Sequence, residues 1–514
     1  MRRVAIVGGG IAGLTAAYEV AKLARSGMPV EAVLFESSNR LGGLIETVRE
    51  GGFTVECGPD GWVSAKPWAR ELAIELGLED ELIFSNDATR KTHIFLTTPD
   101  HPSGRLLAMP DGLNMMVPTN LAALEGSPLF SEADIAAYRA EHARAAELRA
   151  SAPGHDESVA DFTLRHFGPE VLDRVAAPLL SGVFGGDVRR LSLRAVMPSF
   201  VEMERKHGSL IAALESQHTA VAQQPAGIFT TLRSGLGTLV DRLVAEIPAQ
   251  WIRRNTTVQA IRANSPLSAR HSSSAHASHD DAPPWTVLTT TTGKHHGSET
   301  FDAVLIAAPL DATRNLLAPL DEDAAWLLPT ESSSAVLVAF AYADAASFPL
   351  PPGFGFLVPP AYAHPEQAMD PSASLLLACT FADQKFPHRV PPGGRLVRAF
   401  FGGPAAERIA RCNNDEIAAI ARLELARILH TTTPVPAAHP LAPPPVLTIV
   451  RRWPHSLPQY AVGHLDRVAQ IESRLRALPG LTILGNALHG VGIPDLIRDA
   501  RDRARKAAHT ATGR

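Results

Sequence analysis

The residues whose types and spacing could do chemistry come first in the chain. Gly8, Gly10 and Gly13, within the run Gly8-Gly9-Gly10-Ile11-Ala12-Gly13, fit a G-x-G-x-x-G pattern. At that spacing the first glycine permits a tight turn, the second lets the backbone approach a pyrophosphate, and the third lets a helix pack closely on a strand. The chemistry would be anion binding, with the unpaired N–H groups of a helix N-terminus facing the phosphates. Glu36 follows about twenty residues later, where a carboxylate accepts from a ribose hydroxyl pair and disfavours a 2′-phosphate, so NADP is disfavoured. Glycines alone are a weak signal, and the elements around them decide.

Those elements are legible. Arg3-Val4-Ala5-Ile6-Val7 is an apolar run too short for a helix, and Ile11 to Leu23 carries apolar residues at helical spacing. A second run, Glu31 to Phe35, ends at Glu36. The piece that follows, Glu36-Ser37-Ser38-Asn39-Arg40-Leu41-Gly42-Gly43-Leu44, offers a bare glycine pair against which a flat ring and its phosphates can lie. Arg40 can reach the same anion. This piece resembles the second signature of the flavoprotein group that holds amine oxidases, desaturases and porphyrinogen oxidases, which implies FAD and not NAD.

Composition excludes several classes. A chain of 514 residues is too long for one core, and 45% hydrophobic content with a net charge of -5 suits a soluble globular protein with no electrostatic case for nucleic acid. No stretch reaches the roughly 18 apolar residues of a membrane span; peripheral membrane contact and a homodimer stay open. Arg2 and Arg3 precede an apolar run as in a signal peptide, but three glycines interrupt it, so export is not expected. Cys57, Cys379 and Cys412 are too scattered for a disulfide framework or a zinc site and suit a reducing cytosol. The 20 histidines show no H-x-x-x-H spacing, and no metal site is expected.

The remaining pattern divides the chain. Ile45–Arg49 and Phe53–Cys57 alternate around Gly51-Gly52 as a hairpin, and Pro67, Trp68, Leu72, Leu76 and Gly77 outline a helix and its stop. Helices are expected over Asp156–Phe167 and Pro169–Ser181, with Gly182 ending the second. Strands near Thr257–Ile261, Trp285–Thr290 and Ala303–Ala307 should rejoin the first sheet. Ser265–Pro284 reads as a solvated extension of a hairpin, and His439–Pro445 as a linker. Ala335–Tyr342, Gly355–Val358, Ser374–Phe381 and Leu396–Phe401 suggest a second sheet, crossed by a helix over Asp415–Leu429. Near the end, Leu481–Leu484 and Gly490-Val491-Gly492-Ile493-Pro494-Asp495 repeat the order of strand, glycine turn and helix, whose N-terminus would favour negative charge at a flavin's pyrimidine edge.

Nearly the whole chain resembles the oxygen-dependent, FAD-containing porphyrinogen oxidases of haem biosynthesis. The residues that carry this are Gly58-Pro59-Asp60, Met109–Leu113 with Pro118-Thr119, Asp156–Val159, Pro178–Val183, Leu191–Ala195, Gly208–Ile211, Arg452-Trp453, Pro458-Gln459-Tyr460 with Val462-Gly463-His464, and Gly490–Asp495. The last two look like the bacterial branch acting on coproporphyrinogen III; protoporphyrinogen IX is the alternative. The resemblance implies an α/β fold: a Rossmann-like FAD domain of the flavin amine oxidase type (1–88, 226–310 and 446–514), a largely helical insert (89–225) holding part of the substrate pocket, and a mixed-sheet substrate domain (311–445). It implies non-covalent FAD held by Gly8 to Gly13, Glu36, Ser37, Arg40, Gly42, Gly43, Gly58, Pro59, Asp60, Gly61, Val258, Trp453, Val491, Gly492 and Ile493. Lys66, Arg90, Lys91 and Val183 are candidates for the substrate side. An arginine that holds a propionate in the eukaryotic branch aligns with Thr92 here. The implied reaction is hydride transfer from a meso carbon to the flavin with loss of a pyrrole proton, repeated three times with O2 as acceptor, in the cytoplasm or at the inner face of the membrane. No acid–base pair is evident. Amine oxidation, desaturation or non-catalytic tetrapyrrole binding on the same scaffold are the rival readings.

Overall fold

The computed structural model describes residues 1–98, 101–218, 227–264, 284–291, 295–359, 374–430 and 443–509. All of the expected Ser265–Pro284 extension but Pro284, and much of the His439–Pro445 linker, lie outside these residues.

Five parallel strands form the first sheet, in the order Ile252–Arg253, Val30–Phe35, Arg2–Val7, Ala303–Ile306, Leu481–Ile483. Alternate side chains of a strand point to opposite faces. Val4 and Ile6 accordingly join a core with the helices Ile11–Arg25, Gly237–Glu246 and Ile493–His509, while Ala5 and Val7 join a core with Trp285, Val287 and Phe301 on the other side. Both faces are covered, so the strands read as continuous apolar runs.

The second face shows the first correction. Thr256–Ala263 and Trp285–Thr291 do not rejoin the parallel sheet; with His295–Phe301 they form a three-stranded antiparallel sheet laid over it. Their alternation of buried and less buried residues, unlike the fully buried Ala303–Ile306, is what one covered face produces.

The second sheet has seven strands, in the order Leu447–Pro458, Ser332–Tyr342, Arg395–Gly402, Ala378–Phe381, Gly355–Leu357, Thr92–Thr98, His101–Ala108. Thr92–Thr98 and His101–Ala108 fall in the stretch read as largely helical, and Leu447–Pro458 in one read as nucleotide-binding. Thr92–Thr98 enters by a parallel pairing with Gly355–Leu357, a partner too distant in sequence for local pattern to announce. The helix Asn414–His430 covers one face through Ile417, Ala421, Leu425 and Ile428. The hairpin Thr47–Glu50/Phe53–Glu56 covers the other, where Phe53, Val55 and Cys57 meet Leu337, Ala339 and Ala341. That packing delivers the chain after Cys57 to the junction of the two sheets.

The helical part is built on Glu132–Ala143, Val159–Phe167, Ala177–Phe184 and Pro198–His207 around Tyr138, Phe162, Phe167 and Phe200. The helix expected to stop at Gly182 continues to Phe184 and ends at Gly185, whose φ of +69° is the left-handed conformation that a helix stop requires. Gly182 is instead a packing position, since a Cβ there would lie 3.1 Å from Leu357 Cδ2.

Candidate functional site

The opening glycines have distinct surroundings. A Cβ on Gly13 would overlap the carbonyl oxygen of Gly8, and one on Gly8 would overlap that of Ala307, so both serve the close approach of turn, helix and sheet. Gly10 differs: the nearest atom to a Cβ there is Gly43 Cα at 3.9 Å, which leaves open space in front of it. Gly10 is the N-cap of Ile11–Arg25, with no side-chain cap and no acidic residue in the first turn. The first-turn N–H groups are therefore available to an anion. Glu36 accepts from Gly9 N–H at 2.8 Å and Ser38 N–H at 2.8 Å, with Ser37 Oγ at 3.4 Å. A carboxylate has about four acceptor positions, so capacity for a ribose hydroxyl remains.

The second glycine pair lies directly against the first loop. Gly42 N–H donates to Gly9 O at 2.8 Å. Gly42 has φ +106°, and a Cβ there would sit 2.7 Å from Ile45 O. Arg40, read as an anion ligand, donates instead to the carbonyls of Gly43 and, at 2.8 Å, Ile45, which braces the pair. Its guanidinium stands 6.0 Å from the ring of Trp453, whose Nε1 donates to Cys57 O at 2.7 Å. Gly58 follows, so close to Leu44 that a Cβ would overlap the Leu44 carbonyl oxygen. Gly10, Gly43, Arg40, Trp453, Cys57 and Gly58 thus make one continuous chain of contacts.

Val258 belongs to the strand that begins at Thr256, whose N–H donates to Glu36 O at 2.8 Å, which sets it beside the carboxylate end. At the other end Ile493 shares a core with Ile11 and Ala12. The closing turn is fixed by Tyr460, whose hydroxyl donates to Asn486 O at 2.5 Å and accepts from Gly490 N–H at 3.0 Å. His464 stacks on Tyr460 at 4.0 Å and its Nε2 meets Leu488 O at 2.9 Å. Burial holds the His464 pKa down at about 4, so the ring is neutral and donates to that carbonyl. The stretch Pro458–His464 is therefore a clamp on the Gly490–Asp495 turn.

The substrate-side candidates are less united. Lys66 pairs with Asp495 at 2.5 Å, which ties the loop after Gly61 to the closing helix. Arg90 and Lys91 are exposed beside the strand Gly355–Leu357, and Val183, 53% exposed, lies in the last turn of the helix that packs on that same strand.

Sequence reasoning missed the side chains beneath Asp60. Lys385 Nζ lies 3.0 Å from Asp60 Oδ1, and Arg398 Nη1 lies 3.0 Å from Oδ2 while Nη2 donates to Gly58 O. Burial opposes the Asp60 charge, but these cations outweigh it and hold its pKa near about 2. The one legible signal was an arginine inside the apolar run Leu396–Phe401.

A parallel sheet with an uncapped glycine turn, a ribose-type acid and a second glycine pair closing over it define a flavoprotein oxidoreductase. The chain belongs to the flavin-containing amine oxidoreductase family, which it matches over residues 11–508. It is 31% identical to the coproporphyrinogen III oxidase of Bacillus subtilis, covering 96% of each chain, and 26% identical to that of Staphylococcus aureus, covering 97% of each. The chloroplastic protoporphyrinogen oxidase of Nicotiana tabacum is 26% identical over 97% of this chain and 84% of its own. A crystal structure from Exiguobacterium sp. 255-15, provisionally named a protoporphyrinogen oxidase, superposes with a TM-score of 0.76 at 27% identity, over 99% of this chain and 98% of that one. Among the described residues no helix is long and apolar enough to cross a membrane.

Proposed function

We propose that this protein is an FAD-dependent oxidase that converts coproporphyrinogen III to coproporphyrin III with O2 as acceptor, holding FAD without a covalent bond. The observation that carries the cofactor reading is the contact chain from Gly10 through Gly43, Arg40 and Trp453 to Gly58. The names and full-length similarity of the curated bacterial relatives support the substrate class. Protoporphyrinogen IX is the second reading, favoured by the plant relative.

Bound FAD supplies the acceptor for hydride and passes the electrons to O2; three rounds, each removing two hydrogens and reducing one O2 to H2O2, make the porphyrin. The chain's part is to bind, orient and exclude water. Gly10 and the first helical turn receive the pyrophosphate, Glu36 the ribose, and the Gly490–Ile493 backbone the pyrimidine edge. The carboxylates beside the contact chain, Glu36, Glu46, Glu56 and Asp60, all accept from protein donors, so none stands ready as a strong base. Aromatisation of the macrocycle makes one unnecessary.

The purified protein should be yellow, release FAD on denaturation, take up oxygen and produce a fluorescent porphyrin. Initial rates on the two porphyrinogens, in air and under argon, separate the substrates and the acceptor. A colourless preparation that cannot be reconstituted with FAD would overturn the reading. FAD and porphyrin binding without turnover would replace it with a carrier.

A further inference from the structure

The loop Gly58–Gly61 stands on a buried ionic cluster whose charges do not balance. Asp60 faces Lys385 at 3.0 Å and Arg398 at 3.0 Å. Glu56 faces Arg389 at 3.0 Å and also accepts from Thr47 Oγ1 at 2.6 Å and Leu236 N–H at 2.8 Å. Arg389 Nη2 donates to Thr231 Oγ1 at 2.8 Å, while its Nε and Nη1 have no partner among the described residues. Lys385, Arg389 and Arg398 are 8%, 1% and 2% exposed, so water does not screen them. Three cations therefore meet two carboxylates. The neighbouring pairs Glu46–Arg451, at 2.6 Å, and Asp383–Arg395, at 3.3 Å, are balanced. Arg49 and Arg233, further cations on this side, are exposed to solvent. The faces of Phe229, 4.1 Å from Lys385 Nζ, and Phe400, 5.0 Å from Arg398, offset part of the desolvation. They supply no net charge.

An uncompensated buried charge is costly, and in a low-dielectric site its field extends to its neighbours. Hydride brings two electrons and one proton, so a ring that accepts it gains one negative charge. We propose that the excess cation centred on Arg389 acts through the Gly58–Gly61 loop to raise the reduction potential of the flavin, with Arg389 a positioning residue for charge and not a contact residue. This rests on the FAD reading above.

The test is the midpoint potential of the FAD-loaded full-length protein, measured by anaerobic dye equilibration, in Arg389→Met, Glu56→Gln, Arg389→Lys and the double variant Arg389→Met/Glu56→Gln. Arg389→Met leaves two cations against two carboxylates and should lower the reduction equilibrium constant about tenfold, roughly 30 mV for a two-electron couple. Glu56→Gln, which keeps an acceptor for Leu236 N–H, leaves three against one and should raise the potential. The lysine and double variants keep one excess cation and should return near the parent value. A merely structural role predicts something different: the two single variants break the same ion pair and would shift the potential the same way, or not at all, and either result overturns the proposal while leaving the FAD reading intact. Should Arg389→Met fail to fold, a Glu56→Gln potential at or below that of Arg389→Lys overturns it equally. A parent protein that takes up no FAD brings down both readings, and that outcome is visible before any variant is made.

Discussion

At the scale of single residues, the two glycines of one fingerprint have opposite tasks, and this separates binding from folding. Gly13→Ala drives a methyl group into the Gly8 carbonyl, with Ala307 Cβ 3.4 Å away, so the turn must open. It should cost about 1–3 kcal/mol of stability and lower the melting temperature even without cofactor. Gly10→Ala meets nothing nearer than 3.9 Å, and its φ of -72° suits alanine. Cofactor-free stability should change by no more than about 1 kcal/mol, while FAD affinity, read by titration of flavin fluorescence, should fall at least tenfold. Unchanged affinity in Gly10→Ala would move the phosphates elsewhere. The spacing Gly8-x-Gly10-x-x-Gly13 and the task of each glycine were legible in the sequence, but what presses on Gly8 from outside the turn was not. That depends on Ala307, which reaches the turn only because Ala303–Ile306 pairs with Arg2–Val7. Arg398 shows the same limit: its oddity in an apolar run was visible, and its partner Asp60 was not.

At the scale of elements, the helical part is held by a buried charge cluster with no evident part in the flavin chemistry. His166, on Val159–Phe167, bridges Glu141 of Glu132–Ala143 at 3.1 Å and Glu204 of Pro198–His207 at 3.1 Å. Arg165 pairs with Glu204 and, at 2.6 Å, Glu157, and Glu141 also accepts from Ser209 Oγ at 2.7 Å and Leu210 N–H at 2.7 Å. Burial opposes protonation of His166, but the two carboxylates outweigh it and hold its pKa above the ordinary value. The sign follows from linkage: a raised folded pKa contributes stability that is complete below the unfolded value, about 6.5, and lost as pH rises through the folded one. Amide exchange of Val159–Phe167, corrected for intrinsic rates, should lose protection as pH rises from 6 to 9, roughly the range above that reference value. His166→Gln should flatten the dependence, and an equal slope in both proteins would remove His166 as its source. Periodicity revealed the helix that carries His166 because it is a local signal, but set its start at Asp156, whereas Ser158 caps it and the helix begins at Val159. The assignment of Thr256–Ala263 to a separate sheet depended on what covers each face, which alternation hints at and pairing decides.

At the scale of the whole molecule, two helices nearly five hundred residues apart in sequence are neighbours, so the cofactor fold closes only when these distant stretches meet. Ile11–Arg25 lies along Ile493–His509, and Glu19, nearly fully buried, accepts from Arg501 Nε at 3.1 Å and Arg505 Nε at 2.8 Å. Arg501 also reaches Glu75 of Trp68–Glu75, so one carboxylate-and-arginine seam joins three stretches of sequence. Removing Glu19 leaves Arg501 its pair with Glu75 and unpairs only the half-exposed Arg505, so the cost falls below the roughly 3–5 kcal/mol of a fully buried unmatched charge, to about 2 kcal/mol. Glu19→Ala should therefore lower the cofactor-free melting temperature sharply without touching a proposed FAD contact. On the proposed reading FAD binds only the closed fold, so free FAD a hundredfold above its dissociation constant should return about 2.7 kcal/mol. Thermal unfolding of Glu19→Ala with and without FAD should then show rescue by about that amount, while Gly10→Ala at the same FAD concentration, with affinity at least tenfold weaker, should gain about 1.4 kcal/mol at most. The opposite pairing, a full FAD-dependent gain in Gly10→Ala and little in Glu19→Ala, would mean that the meeting of these two helices and occupation of the glycine turn are separate events.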